Sequence, residues 1–201
     1  MTVAVVDYGM GNRRSVEKAL AHVGADAVVT SDHGLIEAAE RIVVPGVGAF
    51  PAAMERLDAL GLSELIRARA GAGVPTLGIC LGMQLLFESS WEHGGAPGLG
   101  LLEGEVTYLE THGERLPHIG WNQVTPRPSR LMAGLEPTAF YHVHSLVARP
   151  ADKSVVVGTA SHGEEFVTAV EAGNVYGTQF HPEKSSRDGL ALLSNFVGAA
   201  A

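Results

Sequence analysis

Thr76-Leu77-Gly78-Ile79-Cys80-Leu81-Gly82-Met83 carries a short apolar strand signal into a glycine-flanked turn and on into the helix-like stretch Met83–Ser89. A buried strand feeding directly into a helix is the repeating unit of an α/β fold. The sharp turn between them pushes the Cys80 side chain into the open, while Gly78 and Gly82 remove side chains that would collide with neighbouring backbone. A helix amino terminus also favours a thiolate over a thiol. The alternative for a single cysteine is a small buried apolar residue, and the turn argues against it.

Outward from this point the same alternation recurs. Val3–Val6 predicts a strand, Asn12–Val23 a helix with Val16, Ala19, Leu20 and Val23 at helical spacing, and Ala27–Val29 a second strand. Leu35–Ala39 predicts a short helix, Arg41–Val44 a third strand stopped by Pro45-Gly46, and Phe50–Ala70 reads as helical. Strands buried on both faces and separated by helices predict a parallel sheet with helices on either side. The second half reads differently. Glu105–Leu109, His118–Val124, Ala139–Ala148, Ser154–Ala160, Phe166–Glu171 and Asn174–Phe180 predict strands separated mostly by turns, expected as antiparallel additions to the same sheet. Leu190–Val197 predicts a closing helix, with Gly198–Ala201 expected to fray. No repeat, linker or low-complexity tract divides residues 1–201, which are read as one domain.

Composition narrows the function. Fourteen Lys and Arg against 22 Asp and Glu leave a net charge of −8, the wrong sign for gathering phosphate backbones or an anionic membrane. The lone Cys80 excludes an internal disulfide and a cysteine-based zinc cluster. Thr2-Val3-Ala4-Val5-Val6-Asp7 lacks the basic start of a signal peptide, and no segment has the 18 or so uninterrupted apolar residues of a spanning helix. A soluble cytoplasmic protein is expected.

Four further motifs bear on chemistry. His181-Pro182-Glu183 follows the last predicted strand, at the carboxyl end of a sheet whose crevices form there. A histidine can take a thiol proton and return it to a leaving amine, while a carboxylate fixes its tautomer. Read alone, a histidine there is more often a hydrogen-bonded structural residue; the glycine-flanked cysteine gives His181 its weight. Pro45-Gly46-Val47-Gly48 ends the third strand, and its glycines allow a peptide to turn its N–H toward an anion, or simply to make a loop. Gly9-Met10-Gly11 between strand and helix, with Asp32 about twenty residues on, partly imitates a dinucleotide fingerprint, but Arg14 stands at the third glycine's place. A tight turn is the reading adopted, and no cofactor is expected. His142 and His144 share a strand face without a third ligand, so no metal is expected either.

Gly78-Ile79-Cys80-Leu81-Gly82-Met83-Gln84 together with Gln179-Phe180-His181-Pro182-Glu183 resembles the class I glutamine amidotransferases. More narrowly, Asp7-Tyr8-Gly9-Met10-Gly11-Asn12, Pro45-Gly46-Val47-Gly48-Ala49-Phe50, Pro117-His118-Ile119-Gly120-Trp121-Asn122 and His181-Pro182-Glu183-Lys184-Ser185 resemble the glutaminase subunits of imidazole glycerol phosphate synthases, across nearly the whole chain. The resemblance implies a three-layer, flavodoxin-like α/β fold with an open, mostly parallel sheet and antiparallel additions. It also implies a triad of Cys80, His181 and Glu183, and an oxyanion site made by the N–H of Leu81 and a rearranged Val47-Gly48 peptide. Substrate contacts are implied at Gly48, Gln84, Glu92, which would meet the α-ammonium of glutamine, and Ser145, through its backbone. The chain departs from the family's usual aromatics at His142 and Leu146.

The implied partner is a (βα)8-barrel cyclase that receives ammonia in a heterodimer and makes imidazole glycerol phosphate and an aminoimidazole carboxamide ribonucleotide. Asn12 and Lys184 fall in loops on the same predicted rim and are candidates for the partner face, or ordinary solvated loop residues. Two other readings stay open: a glutaminase serving a pyridoxal phosphate or anthranilate synthase, and a non-catalytic regulatory module with the same fold.

Overall fold

Alternation along the first strand, β1 (Thr2–Val6), sorts its side chains to two faces, and each face carries its own core. Val3 and Val5 pack with Val16 and Leu20 of α1 (Arg13–His22) and with Leu192, Leu193 and Phe196 of α6 (Ser186–Gly198). Ala4 and Val6 pack on the opposite face with Ile36 of α2 (His33–Ala38), Phe50 and Leu57 of α3 (Phe50–Ala59), and Leu62 and Ile66 of α4 (Leu62–Gly71). Each such side chain, fully buried, contributes about 1.5–3 kcal/mol. The helix–sheet–helix layering follows directly. The computed structural model describes residues 1–198.

The remaining strands are β2 (Asp26–Thr30), β3 (Arg41–Gly46), β4 (Thr76–Cys80), β5 (Phe87–Ser90), β6 (Ala96–Pro97), β7 (Leu102–Tyr108), β8 (His118–Pro126), β9 (Thr138–His144), β10 (Leu146–Pro150), β11 (Val156–His162), β12 (Glu164–Ala172) and β13 (Val175–Thr178). They form one sheet in the order β2-β1-β3-β4-β13-β12-β10-β7-β5-β6, with β11 on β12 and the β8–β9 pair extending from β11. The block β2-β1-β3-β4-β13 is parallel throughout. Antiparallel pairing begins at β12. This is the α/β sheet expected, with its antiparallel additions.

Several expected boundaries move. Phe50–Ala70 is two helices, because Gly61 takes a left-handed conformation (φ 65°) that caps α3 and starts α4. Pro45-Gly46 does not stop β3, which pairs Pro45 with Ile79 and Gly46 with Cys80. The missing proline N–H costs little there, since the ladder to β1 has ended at Val43. The Met83–Ser89 helix is cut short: α5 spans only Leu81–Leu85, and Phe87–Ser90 is recruited as β5 between β6 and β7. Ala139–Ala148 breaks at Ser145, because its first half pairs with β8 and its second with β7 and β12. Not all later strands are antiparallel, since β13 lies parallel to β4 and β5 parallel to β7. The last helix is longer than expected and includes Gly198; the rest of the expected frayed end, 199–201, lies outside the described residues.

Candidate active site

At the end of β4, Cys80 has φ 56° and ψ −113°, a strained conformation for a residue with a Cβ. Packing on both sides enforces it. A Cβ on Gly82 would stand 1.7 Å from the Val44 carbonyl oxygen, and one on Gly78 2.4 Å from that of Gly82. The two glycines therefore let β3, β4 and α5 approach closely enough to fix the turn that turns Cys80 toward the cleft.

That cleft, about 240 Å³, is bordered by Val47, Gly48, Cys80, Leu81, Gln84, Glu92, Ser145, His181 and Lys184, drawn together from five separate segments. Every residue assigned from the sequence to catalysis, oxyanion or substrate lines it except Glu183, which lies behind His181. There His181 Nδ1 and Glu183 Oε1 are 2.9 Å apart, with side chains 3% and 0% exposed. Asn12 Nδ2 donates to the same Glu183 oxygen at 3.3 Å, so Asn12 faces inward rather than lying free in solvent. Lys184 stays exposed, its ammonium 5.8 Å from the Tyr141 ring centroid.

Burial works to lower the His181 pKa, but hydrogen bonds with Cys80 and Glu183 and the negative charge of each outweigh it and push the value up to about 9. A folded-state pKa above the usual 6.5 or so means a stabilising contribution complete below about pH 6.5 and lost as pH rises through about 9. Urea unfolding should therefore show wild type losing stability across that window, relative to a His181→Asn variant that lacks this titration. Parallel pH profiles for the two proteins would contradict the assignment.

Glu92 Oε2 accepts from the Phe50 N–H at 2.6 Å, which seats the carboxylate at the start of α3, and its side chain is 13% exposed. Gln84 is buried; its Nε2 donates to the Leu146 carbonyl at 3.2 Å and to Gln179 Oε1 at 3.1 Å. Cys80 Sγ lies 3.7 Å from the Val143 carbonyl oxygen and 3.9 Å from Gln179 Nε2.

Sequence reasoning assigned no role to Gln179 or Tyr8. Gln179 is wholly buried beside the thiol, and its signal was a long polar side chain directly ahead of Phe180 and His181. Tyr8 is 1% exposed and donates its hydroxyl to the Pro45 carbonyl at 2.7 Å, pinning the end of β3 just ahead of Val47-Gly48. Burial, and then the charge of nearby Cys80, push its phenol pKa upward. The Gly9–Gly11 turn serves packing: both glycines have positive φ, and a Cβ on Gly11 would lie 3.3 Å from the Pro45 peptide. His142 and His144 spend their Nδ1 atoms on the Phe140 and Leu146 carbonyls, at 2.9 and 3.0 Å.

Compared with known proteins, the chain matches the family described as glutamine amidotransferase class-I over residues 4–200. The chain belongs to that family. It is 52% identical over 196 residues to the imidazole glycerol phosphate synthase subunit HisH of Moorella thermoacetica, covering 96% of this chain and 93% of that one. The HisH subunit of Aquifex aeolicus is 50% identical over 199 residues, with 98% and 96% covered. Among solved structures, one titled glutamine amidotransferase superposes with a TM-score of 0.74 at 24% identity, covering 97% of this chain and 98% of that one. PurLQS from Thermotoga maritima superposes equally, at 0.74 and 21% identity, covering 98% and 97%. At those identities the two structures speak for the amidotransferase fold alone. Among the described residues no helix is long and apolar enough to cross a membrane.

Proposed function

We propose that this glutamine amidotransferase subunit hydrolyses glutamine with a Cys80-His181-Glu183 triad and delivers the ammonia to a (βα)8-barrel cyclase partner, forming a cytoplasmic imidazole glycerol phosphate synthase. The observation that carries the reading is the convergence on one cleft of a strained, glycine-flanked thiol and a carboxylate-paired imidazole. In this reading Cys80 Sγ attacks the side-chain amide carbon, and the new oxyanion is met by the Leu81 N–H and the Val47-Gly48 peptide. His181, charged in the resting site, gives its proton to the departing ammonia. Water then adds to the thioester as His181 takes its proton, releasing glutamate, Cys80 Sγ and the charged imidazole. Glu183 holds the imidazole by Nδ1 and stabilises its charge. Glu92 offers its negative charge to the α-ammonium of glutamine, Gln84 and Gly48 border the substrate, and Ser145 meets it through the backbone.

Ammonia set free in water at neutral pH is protonated and loses its nucleophilicity, which is why a shielded path to an acceptor is needed. The HisH names of the relatives support the cyclase as that acceptor over a pyridoxal phosphate or anthranilate synthase. Lys184, exposed at the cleft, and Asn12, bonded to Glu183 behind it, are its candidate contacts, and residues 1–201 would act as one amidotransferase domain.

A glutamine-like diazoketone tests the reading directly. Intact mass should report one adduct, on Cys80, suppressed by excess glutamine, and the complex with the cyclase should release glutamate from glutamine. An unlabelled Cys80 and no glutamate from the complex would favour the regulatory module instead.

A further inference from the structure

Between the thiol and the far strand β11 runs an unbroken line of hydrogen bonds through four buried side chains, the Leu146 carbonyl and the half-buried Asn122. Gln179 Nε2 lies 3.9 Å from Cys80 Sγ, Gln84 Nε2 donates to Gln179 Oε1 at 3.1 Å and to the Leu146 carbonyl at 3.2 Å, and His144 Nδ1 meets that same carbonyl at 3.0 Å. His144 Nε2 is 3.0 Å from His118 Nδ1, His118 Nε2 is 3.1 Å from Asn122 Nδ2, and Asn122 Nδ2 donates to the Ser161 carbonyl at 2.7 Å.

The two carbonyl ends determine every proton between them. A carbonyl only accepts, so His144 carries its proton on Nδ1 and offers a lone pair at Nε2. His118 must then donate from Nδ1 and accept at Nε2, where the second amide hydrogen of Asn122 is waiting. Both rings are neutral in this arrangement. Burial, the first cause in each case, pushes the His118 pKa down to about 4, with His162 adding to it, and lowers that of His144 well below its usual value, with His142 and His118 adding to it.

His118 and His144 are direct cross-strand partners of β8 and β9. His118 is held from outside by His162, stacked at 4.2 Å between centroids. Its effect reaches the cleft because Leu146 is fixed on both sides: the Leu109 N–H donates to the Ser145 carbonyl at 2.9 Å, and His144 and Gln84 share the Leu146 carbonyl. Without a donor at its Nε2, that lone pair of His144 is buried unpaired, and the ring can turn away from Leu146 to find a partner.

We propose that His118 is a positioning residue for glutamine: by donating to His144 Nε2 it holds the ring whose Nδ1–H bonds the Leu146 carbonyl, and so the Ser145-Leu146 and Gln84 wall of the substrate cleft. This rests on the cleft being the glutamine site. His118→Leu, assayed in the complex with the cyclase, should raise the KM for glutamine about tenfold, the scale of one lost buried hydrogen bond, with kcat within about threefold of wild type. His118→Asn should return KM to within about threefold of wild type, because asparagine Nδ2 sits the same number of bonds from Cα as Nδ1 of histidine and still donates. An unchanged KM in folded His118→Leu, or no rescue by folded His118→Asn, overturns the proposal. Should His118→Leu fail to fold, 15N chemical shifts of the wild-type rings decide: neutral Nδ1–H forms of both His118 and His144 are expected, and an Nε2–H form of either overturns it. A wild-type complex that releases no glutamate counts against the glutaminase reading, while the ring tautomers still report on the hydrogen-bond line itself.

Discussion

Cys80→Ala is expected to lower glutamine-dependent turnover of the complex by at least about 10⁴-fold, the scale on which removing a triad nucleophile acts, while leaving turnover with added ammonium salts within about twofold. The contrast follows from position. Cys80 is 6% exposed at the tip of β4, and the alanine Cβ occupies the same strained turn, so the substitution removes a sulfur without disturbing Gly78, Gly82 or the rim. Nothing about an acceptor site on another chain depends on that sulfur. Glutamine-dependent and ammonium-dependent rates measured on one preparation separate the two steps. Equal loss with both nitrogen sources would mean that the variant damages the assembly and that Cys80 is structural.

What could be read in the sequence, and what could not, divides along a physical line. Cys80, His181 and Glu183 were legible because glycine spacing and strand-end placement are local properties, and a parallel sheet brings strand ends to one edge whatever lies between. Residues 80 and 181 meet because β13 pairs directly with β4, with Gly177 opposite Gly78 and Thr178 opposite Ile79. That pairing was missed: strand signals carry no direction, and the turns around β13 resembled those of hairpins. The break of Ala139–Ala148 at Ser145 was equally hidden. A continuous β-rich stretch gives no sign that its halves will join different ladders, yet that break puts Ser145 on the cleft wall. Tyr8 and Gln179 lay inside quoted motifs and still had no assigned task, since their partners, Pro45 and Cys80, are 37 and 99 positions away and nothing in local spacing connects them.

The isolated chain is expected to hydrolyse glutamine about a thousandfold more slowly than the complex loaded with the cyclase's nucleotide ligand, and Gly48→Ala to remove at least about 100-fold of that gain, the scale of one lost oxyanion donor. The segment from Pro45, at the end of β3, to Gly48 is built for such a difference. At one end the Tyr8 hydroxyl holds the Pro45 carbonyl at 2.7 Å, and Gly46 is enclosed, its absent Cβ replaced by Tyr8 Oη at 2.7 Å and Leu81 Cβ at 2.8 Å. At the other end Gly48 has φ +108°, where L side chains rarely go, and only the flexible Met10 Cε approaches the space a Cβ would take. Rotation of the Val47-Gly48 peptide is thus concentrated at Gly48, beside a half-exposed Val47 that a docking partner can press. A thousandfold change requires about 4 kcal/mol more stabilisation of the transition state in the loaded complex than in the free chain. Gly48→Ala is the informative substitution because alanine must abandon the positive φ while Met10 yields; Gly46→Ala would instead collide with Tyr8 and Leu81 and confound gating with folding. Steady-state glutamate release, with and without the cyclase and its ligand, gives both numbers. A free chain as fast as the loaded complex, or Gly48→Ala with full stimulation, would remove the Val47-Gly48 peptide from the oxyanion site and leave the Leu81 N–H as its donor.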